Sequence, residues 1–139
     1  MPEPFVWRSR VRFSETDSSG RIHYSAMFRY LEATEDEFLR AAGIPYSRFE
    51  PSQGVSFPRV HVEAQFMAAL KYDDVVDMEL SVERVGETSF TLYFDASREG
   101  APVARGRMTV VCISVATERP VALPAEMAAA LERGGSGVE

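Results

Sequence analysis

The chain has 139 residues, of which 45% are hydrophobic and 26% charged, a composition typical of one globular domain with a hydrophobic core. Its net charge of −6 argues against nucleic acid as a partner, because phosphate backbones are bound chiefly by clustered lysine and arginine side chains. The chain lacks a run of about 18 apolar residues and an apolar N-terminal signal segment, so we expect no membrane association and a cytoplasmic protein.

The first predicted element is a strand from Phe5 to Phe13. Apolar side chains occupy most odd positions and arginines several even ones, which is the period of a half-buried strand. The polar residues 14–23 then break the alternation and include Gly20, so they predict a loop with a sharp turn.

One long helix is predicted to follow this loop, with Ser25 as its N-cap. Its apolar residues recur at spacings of three and four and form one stripe that ends at Gly43. The stripe consists of Met27, Leu31, Thr34, Phe38 and Ala42.

After a short helical turn or loop at 45–51, four more strands are predicted at about 54–68, 75–85, 89–98 and 103–116. Their short connections require antiparallel neighbours, because a parallel crossover needs a dozen or more residues. A helix at about 124–133 precedes residues 134–139, whose glycines predict a flexible tail. We therefore expect one α+β domain, 5–133, in which a five-stranded antiparallel sheet wraps around one long central helix.

The last long strand is predicted to be apolar on both faces. Met108 and Val110 lie on one face, and Val111 and Ile113 lie on the other. One face can pack against the helix, but the second requires another cover. A symmetric partner subunit is the simplest cover, so we expect a homodimer or homotetramer.

Four stretches together carry a resemblance to a known family. They are TDSSGRIHYSAMFRYLEA (16–33), VEAQFMAALKYDDVVDMELSVERVGETSFTLYFDA (62–96), PVARGRMTVVCIS (102–114) and TERPVALPAEMAAAL (117–131). With them the chain resembles the hotdog-fold acyl-CoA thioesterases, in particular the 4-hydroxybenzoyl-CoA thioesterase-like branch. It departs from many relatives at Ala69, where they carry proline, and at Glu35, where they carry arginine.

The resemblance implies a hotdog fold and the hydrolysis of acyl-CoA to free acid and thiol, without a metal or organic cofactor. It also implies an active site at a subunit junction, with Asp17 as nucleophile or general base. Asp17 precedes a turn at Gly20 and a helix start near Tyr24, whose free backbone N–H groups could stabilise an oxyanion. From the residues alone, an Asx turn that binds its own backbone is the commoner role for such an aspartate.

Several other residues are candidates for binding the substrate. His23 could orient the loop or line the acyl pocket, and Ser25 could lie at the helix start or serve only as a cap. Glu32 and Glu35 are the alternative catalytic carboxylates, because some hotdog thioesterases place the catalytic acid on the central helix. Glu32 could also orient the loop, although a solvated helix charge is the commoner explanation for both residues. The CoA phosphates require basic side chains, for which the candidates are Arg59, Lys71, Arg84, Arg105 and Arg107.

The two histidines do not predict a metal site. His61 alternates with valines on a strand, on the same predicted face as Arg59 and Glu63, and we expect this face to contact solvent or a partner. Two separated histidines without cysteine partners do not make a zinc site.

The sequence leaves three alternative functions open. An acyl-carrier-protein thioesterase would perform the same chemistry on another thiol carrier. A hotdog hydratase or dehydratase would act on the acyl chain instead of the thioester bond, since a fold does not fix a function. A non-catalytic protein would bind the acyl thioester and release no thiol.

Overall fold

The computed structural model describes residues 4–134. Two helices and seven strands form the fold, together with short 3-10 turns at Phe13–Glu15 and Tyr46–Arg48. In chain order they are β1 Phe5–Arg10, α1 Tyr24–Ala41, β2 Val55–Ser56, β3 Arg59–Phe66, β4 Val75–Val85, β5 Ser89–Arg98, β6 Ala101–Val111, β7 Ile113–Ser114 and α2 Ala125–Glu132.

Five strands form one antiparallel sheet in the order β1-β4-β5-β6-β3, and β2 pairs with β7 in a separate two-stranded sheet. The hairpins β4-β5 and β5-β6 form the centre of the large sheet. Their strands are antiparallel neighbours because the connections between them are short. The strands β1 and β3 are the two edges of this sheet.

The long helix α1 packs on one face of this sheet and closes the core. Its apolar stripe buries Met27, Leu31 and Phe38, while the strands bury alternate side chains such as Met78 and Leu92. This arrangement of one central helix on a five-stranded antiparallel sheet confirms the predicted α+β hotdog fold.

Strand β1 is shorter than the sequence predicts, since it ends at Arg10 and not at Phe13. Its pairing with β4 ends where Arg10 meets Val75, the first residue of that strand. The chain then turns, because the side chain of Glu15 accepts a hydrogen bond from the Arg12 N–H, and Phe13 is left 76% exposed.

The predicted strands at 54–68 and 103–116 are each divided in two. Pro58 has no N–H to donate to a ladder and lies between β2 and β3. Cys112 lies between β6 and β7, and its N–H donates to the carbonyl of Thr88 instead of to a partner strand.

Strand β3 lies unusually close to β6 at Gly106. Gly106 pairs with Ala64 across the β3-β6 ladder. A Cβ atom added at Gly106 would lie 2.0 Å from the carbonyl oxygen of Glu63, the residue before Ala64. Only glycine allows this approach of the two backbones.

The predicted flexible tail, 134–139, lies outside the described residues except for Gly134. Among the described residues, no helix combines the length and the apolar character needed to cross a membrane.

Candidate active site

The loop between β1 and α1 holds Asp17 in a tight turn. The N–H of Gly20 donates to the Asp17 carbonyl oxygen at 3.0 Å, and the N–H of Asp17 donates to the Arg21 carbonyl oxygen at 2.8 Å. Gly20 has a φ of 83°, in the left-handed region that other residues rarely adopt, so its place in the turn has a backbone reason.

The carboxylate of Asp17 is exposed and is held in its ionised form. Its Oδ1 accepts hydrogen bonds from the Ser19 hydroxyl, at 2.5 Å, and from the Ser19 N–H, at 2.8 Å. These two bonds, the hydroxyl first, hold the pKa of Asp17 below its usual value, and the positive charge of Arg21 adds to the effect. Asp17 therefore forms an Asx turn through Oδ1, while Oδ2 makes no hydrogen bond to a described residue.

Helix α1 begins at Tyr24, two residues earlier than an N-cap at Ser25 would allow, and the prediction that Ser25 is the N-cap is wrong. His23 is the N-cap, and its Nδ1 accepts from the Ser25 N–H at 3.2 Å and lies 2.8 Å from the Ser25 hydroxyl. The imidazole substitutes for a serine hydroxyl as the acceptor of the first turn.

Tyr24 is the first residue of α1, as the sequence predicts for the helix entrance. Its N–H is one of the first amides of the helix, which have no carbonyl partner within it. Its ring is 66% exposed and packs against His23 with ring centroids 4.5 Å apart.

A buried carboxylate fixes the loop to the helix behind Asp17. Glu15 is 6% exposed, and its Oε1 accepts from the Tyr30 hydroxyl at 2.7 Å and from the Arg12 N–H at 2.8 Å. The His23 N–H also donates to the Glu15 carbonyl oxygen at 2.8 Å. The pKa of Tyr30 is raised by burial and by the hydrogen bond to Glu15. Glu15 therefore connects Arg12, at the start of the loop, and His23, at its end, to Tyr30 of α1.

Asp17 and Tyr24 line the same pocket, which has a volume of about 640 Å³. The end of β3 and the segment that follows it form the opposite wall. The other lining residues are Ser19, Arg21, Ile22, Phe66, Met67, Ala68, Ala69 and Leu70. The pocket thus has a carboxylate and helix amides on one side and an apolar surface on the other.

A second pocket, of about 270 Å³, lies farther along α1 against the middle of β3. Glu32 and Arg59 line this second pocket and not the one that holds Asp17. Arg59 donates to Glu35, so the structure does not bring Glu32 and Arg59 to the loop that holds Asp17.

The interpretation of Glu35 as a solvated helix charge is wrong, because the residue is 0% exposed. Its position four residues after Leu31, on the apolar stripe, is the signal that could have placed it inside. Glu32 is exposed as expected. His61 is exposed too and pairs with Glu63 at 2.7 Å, but Arg59 does not share their face.

The other candidates for the CoA phosphates differ in their partners. Arg107 is bound to Glu83 and Glu63, and Arg105 donates to Gln65 on the neighbouring strand. Within residues 4–134, no three His, Cys, Asp or Glu side chains come together as a metal ion would require.

Comparison with known proteins finds a matching family model and similar proteins. A model of the thioesterase-like superfamily matches residues 11–131. A protein of Prochlorococcus marinus (strain NATL2A) named 1,4-dihydroxy-2-naphthoyl-CoA hydrolase is 32% identical over 120 residues, 81% of this chain and 77% of its own length.

Two solved structures are similar over nearly their whole length. A hypothetical protein from Thermus thermophilus has a TM-score of 0.86 and 32% identity, covering 93% of this chain and 98% of its own. A hypothetical protein from Aquifex aeolicus has the same TM-score and identity, covering 92% and 99%.

Proposed function

Because the chain belongs to the thioesterase-like superfamily and is a thioester hydrolase, we propose that it converts acyl-CoA and water to a free acid and CoA, with Asp17 at the centre of the chemistry. One observation supports this proposal above all: the Asp17 carboxylate and the start of α1 at Tyr24 line one pocket. A nucleophile or base and an oxyanion site are the two requirements of thioester hydrolysis.

In the proposed reaction the thioester carbonyl oxygen accepts a hydrogen bond from the N–H of Tyr24. The partial positive charge of the helix start then stabilises the oxyanion that forms when the carbonyl carbon is attacked. Gly20 shapes the turn that holds Asp17 near this point, and His23 and Ser25 fix the first turn of the helix.

Asp17 acts in one of two ways. Its ionised carboxylate attacks the carbonyl carbon, the C–S bond breaks, and water then hydrolyses the resulting anhydride. Alternatively the carboxylate takes a proton from a water molecule while that water attacks the carbonyl carbon. The C–S bond then breaks, and the proton held by Asp17 passes to the leaving sulfur, which releases CoA as the thiol. The low pKa of Asp17 favours the ionised form that both routes need.

The gap between α1 and β3 is the proposed path of the acyl group. The helix and the strand run in opposite directions along it, since Tyr24 and Phe66 share the first pocket, whereas Phe28 and Val62 share the second. An acyl group whose thioester lies at Tyr24 would therefore extend from the first pocket toward the second.

We further propose that two copies of the chain associate through the edge strand β3. Within residues 4–134, β3 is paired along one edge only, with β6, and its exposed apolar side chains include Val60, Val62 and Phe66. Such an edge favours pairing with another strand, and a second copy would cover the gap that the acyl group enters.

The test of the proposed function is thiol release from short, long and aromatic acyl-CoAs, followed with a disulfide reagent. Turnover of at least one CoA ester is the expected result. Binding of acyl-CoA without any thiol release would contradict the proposal and favour a non-catalytic protein. Release only from acyl carrier protein would replace CoA as the thiol carrier.

A further inference from the structure

An ion pair with a fully buried carboxylate lies at the far end of the proposed acyl path. The Oε1 atom of Glu35 accepts from the Arg59 guanidinium and its Oε2 accepts from the Tyr46 hydroxyl, both at 2.5 Å. Arg59 also lies over the Tyr46 ring, 5.3 Å from its centroid. Glu35 is 0% exposed, whereas 32% of the Arg59 side chain remains exposed. The pair is thus anchored on one side and open on the other.

A β-bulge is the reason that Arg59 reaches the helix. The register of β3 against β6 shifts between Arg59 and His61, so the alternation of side chains is interrupted at this point. Without the shift, Arg59 would lie on the same face as His61, away from α1. The irregularity therefore directs a cation into the space between the helix and the strand.

The open side of Arg59 lines the second pocket, whose walls are apolar and whose charges balance. The apolar walls are Phe28, Leu31, Val62 and Met108, and the charged residues are Arg29, Glu32, Glu35 and Arg59. Two positive and two negative side chains give no net charge. A pocket of this kind fits an apolar group that carries a neutral polar end.

The distance along α1 sets the length of the group that could reach this cluster. Glu35 lies eleven residues after Tyr24, which corresponds to about 16 Å along the helix at about 1.5 Å per residue. Because carbon–carbon bonds of about 1.5 Å meet at tetrahedral angles, an extended acyl chain advances about 1.25 Å per bond and needs roughly twelve to fourteen carbons to span it. A benzoyl group at the thioester site is too short.

We propose that the Glu35–Arg59 pair is the distal recognition site of the acyl group and selects medium-length acyl thioesters that carry a hydroxyl at the end remote from the thioester. The proposal rests on the proposed thioesterase function and names the acyl class on which it acts. Arg59 is the specificity-determining residue, and the buried Glu35 carboxylate, itself held by Tyr46, positions the guanidinium.

A hydroxyl suits this cluster better than the alternatives. It can accept a hydrogen bond from Arg59 and donate one to the exposed Glu32. A methyl end would displace water from the guanidinium without offering it a hydrogen-bond acceptor, and an unsatisfied donor costs free energy. A carboxylate end would meet two carboxylates in a pocket without net positive charge.

The test compares kcat/KM within pairs of acyl-CoAs that differ only in the terminal hydroxyl. Dodecanoyl-CoA and ω-hydroxydodecanoyl-CoA form the long pair, and benzoyl-CoA and 4-hydroxybenzoyl-CoA form the short pair. We expect wild type to prefer the hydroxylated member of the long pair by about tenfold, the worth of one good hydrogen bond, and to show no such preference in the short pair.

The variant Glu35→Met/Arg59→Met removes both charges together, because removing one would leave the other buried without a partner. We expect the preference in the long pair to fall to about one. The readout is a ratio measured on one enzyme preparation, so a smaller folded fraction lowers both members equally and leaves the ratio unchanged. The control Glu37→Met/Arg40→Met removes an exposed pair from the same helix and should keep the preference.

Two results would overturn the proposal: no preference for the hydroxylated long substrate in wild type, or a preference that persists in the Glu35→Met/Arg59→Met variant. Both are distinguishable from a failure of the proposed function, in which no acyl-CoA of either pair releases thiol and the specificity proposal falls with it.

Discussion

The acidity of Asp17 depends on one neighbouring serine. Ser19 supplies both hydrogen bonds to Asp17 Oδ1, one from its hydroxyl and one from its N–H, and the hydroxyl has the larger effect on the pKa. A carboxylate that accepts hydrogen bonds favours its ionised form.

Replacing Ser19 with alanine should therefore raise the pKa of Asp17 toward its ordinary value. Because the ionised carboxylate is the active form, activity should then begin to fall at a higher pH on acidification than it does in wild type. An NMR titration of the Asp17 carboxyl carbon measures the shift directly. Ser18→Ala, one residue earlier, is the matched control, and equal titrations in wild type and Ser19→Ala would contradict the assignment.

Tyr30 should matter for the loop although it does not line the pocket. Tyr30→Phe removes the hydrogen bond to the buried Glu15 carboxylate at nearly constant volume, which should cost about 1–2 kcal/mol of unfolding free energy. Since Glu15 anchors the loop, we expect kcat to fall more than KM changes.

Denaturant unfolding and steady-state kinetics test this prediction together. Tyr72→Phe is the control, because Tyr72 is 59% exposed and contacts Phe13 through its ring, which phenylalanine keeps. A Tyr30→Phe enzyme with wild-type stability and kcat would show that the anchor is unimportant.

At the residue scale the sequence predicts the loop better than it predicts the ion pair. Asp17, Gly20 and Tyr24 are close in sequence, so their arrangement follows from local turn and helix chemistry. Glu35 and Arg59 are 24 residues apart and meet only because a bulge turns Arg59 toward α1. No local sequence pattern predicts such a bulge.

At the scale of elements, β4 and β5 have the predicted bounds because alternation and turn residues define both of their ends. The end of β1 is set instead by a long-range partner, because β1 ends where β4 begins. The start of β3 follows Pro58, a local break that the predicted strand at 54–68 passes over. The edges of a sheet are therefore less predictable from sequence than its centre.

Gly106 determines how closely β3 can lie against β6. Gly106→Ala would place a methyl group against the Glu63 carbonyl, so we expect a loss of about 1–3 kcal/mol of unfolding free energy. The same change should lower acyl-CoA affinity, since β3 forms one wall of the acyl path.

Thermal and denaturant unfolding measure the cost, and Gly86→Ala is the control. A Cβ at Gly86 would meet chiefly the flexible end of the Arg84 side chain, at 3.2 Å. A cost for Gly106→Ala no greater than that for Gly86→Ala would contradict the close approach of β3 and β6.

At the scale of the whole molecule, the proposed dimer is the step that most affects the site. A lysine on an edge strand opposes strand pairing, so Val60→Lys should shift the protein toward monomer and reduce turnover. Sedimentation velocity measures the oligomeric state. Val115→Lys changes an equally exposed valine away from β3 and should leave the association intact. A monomeric wild type would contradict the proposed interface.

The most direct test of the central claim is thiol release from the preferred acyl-CoA by wild type and Asp17→Asn. Asparagine keeps the hydrogen-bonding shape of the turn but cannot attack the acyl carbon as a carboxylate or take a proton from water. We expect the Asp17→Asn variant to fold correctly and its turnover to be lower by several orders of magnitude. Asp95→Asn is the control and should stay active. Equal turnover in wild type and Asp17→Asn would contradict the assignment of Asp17.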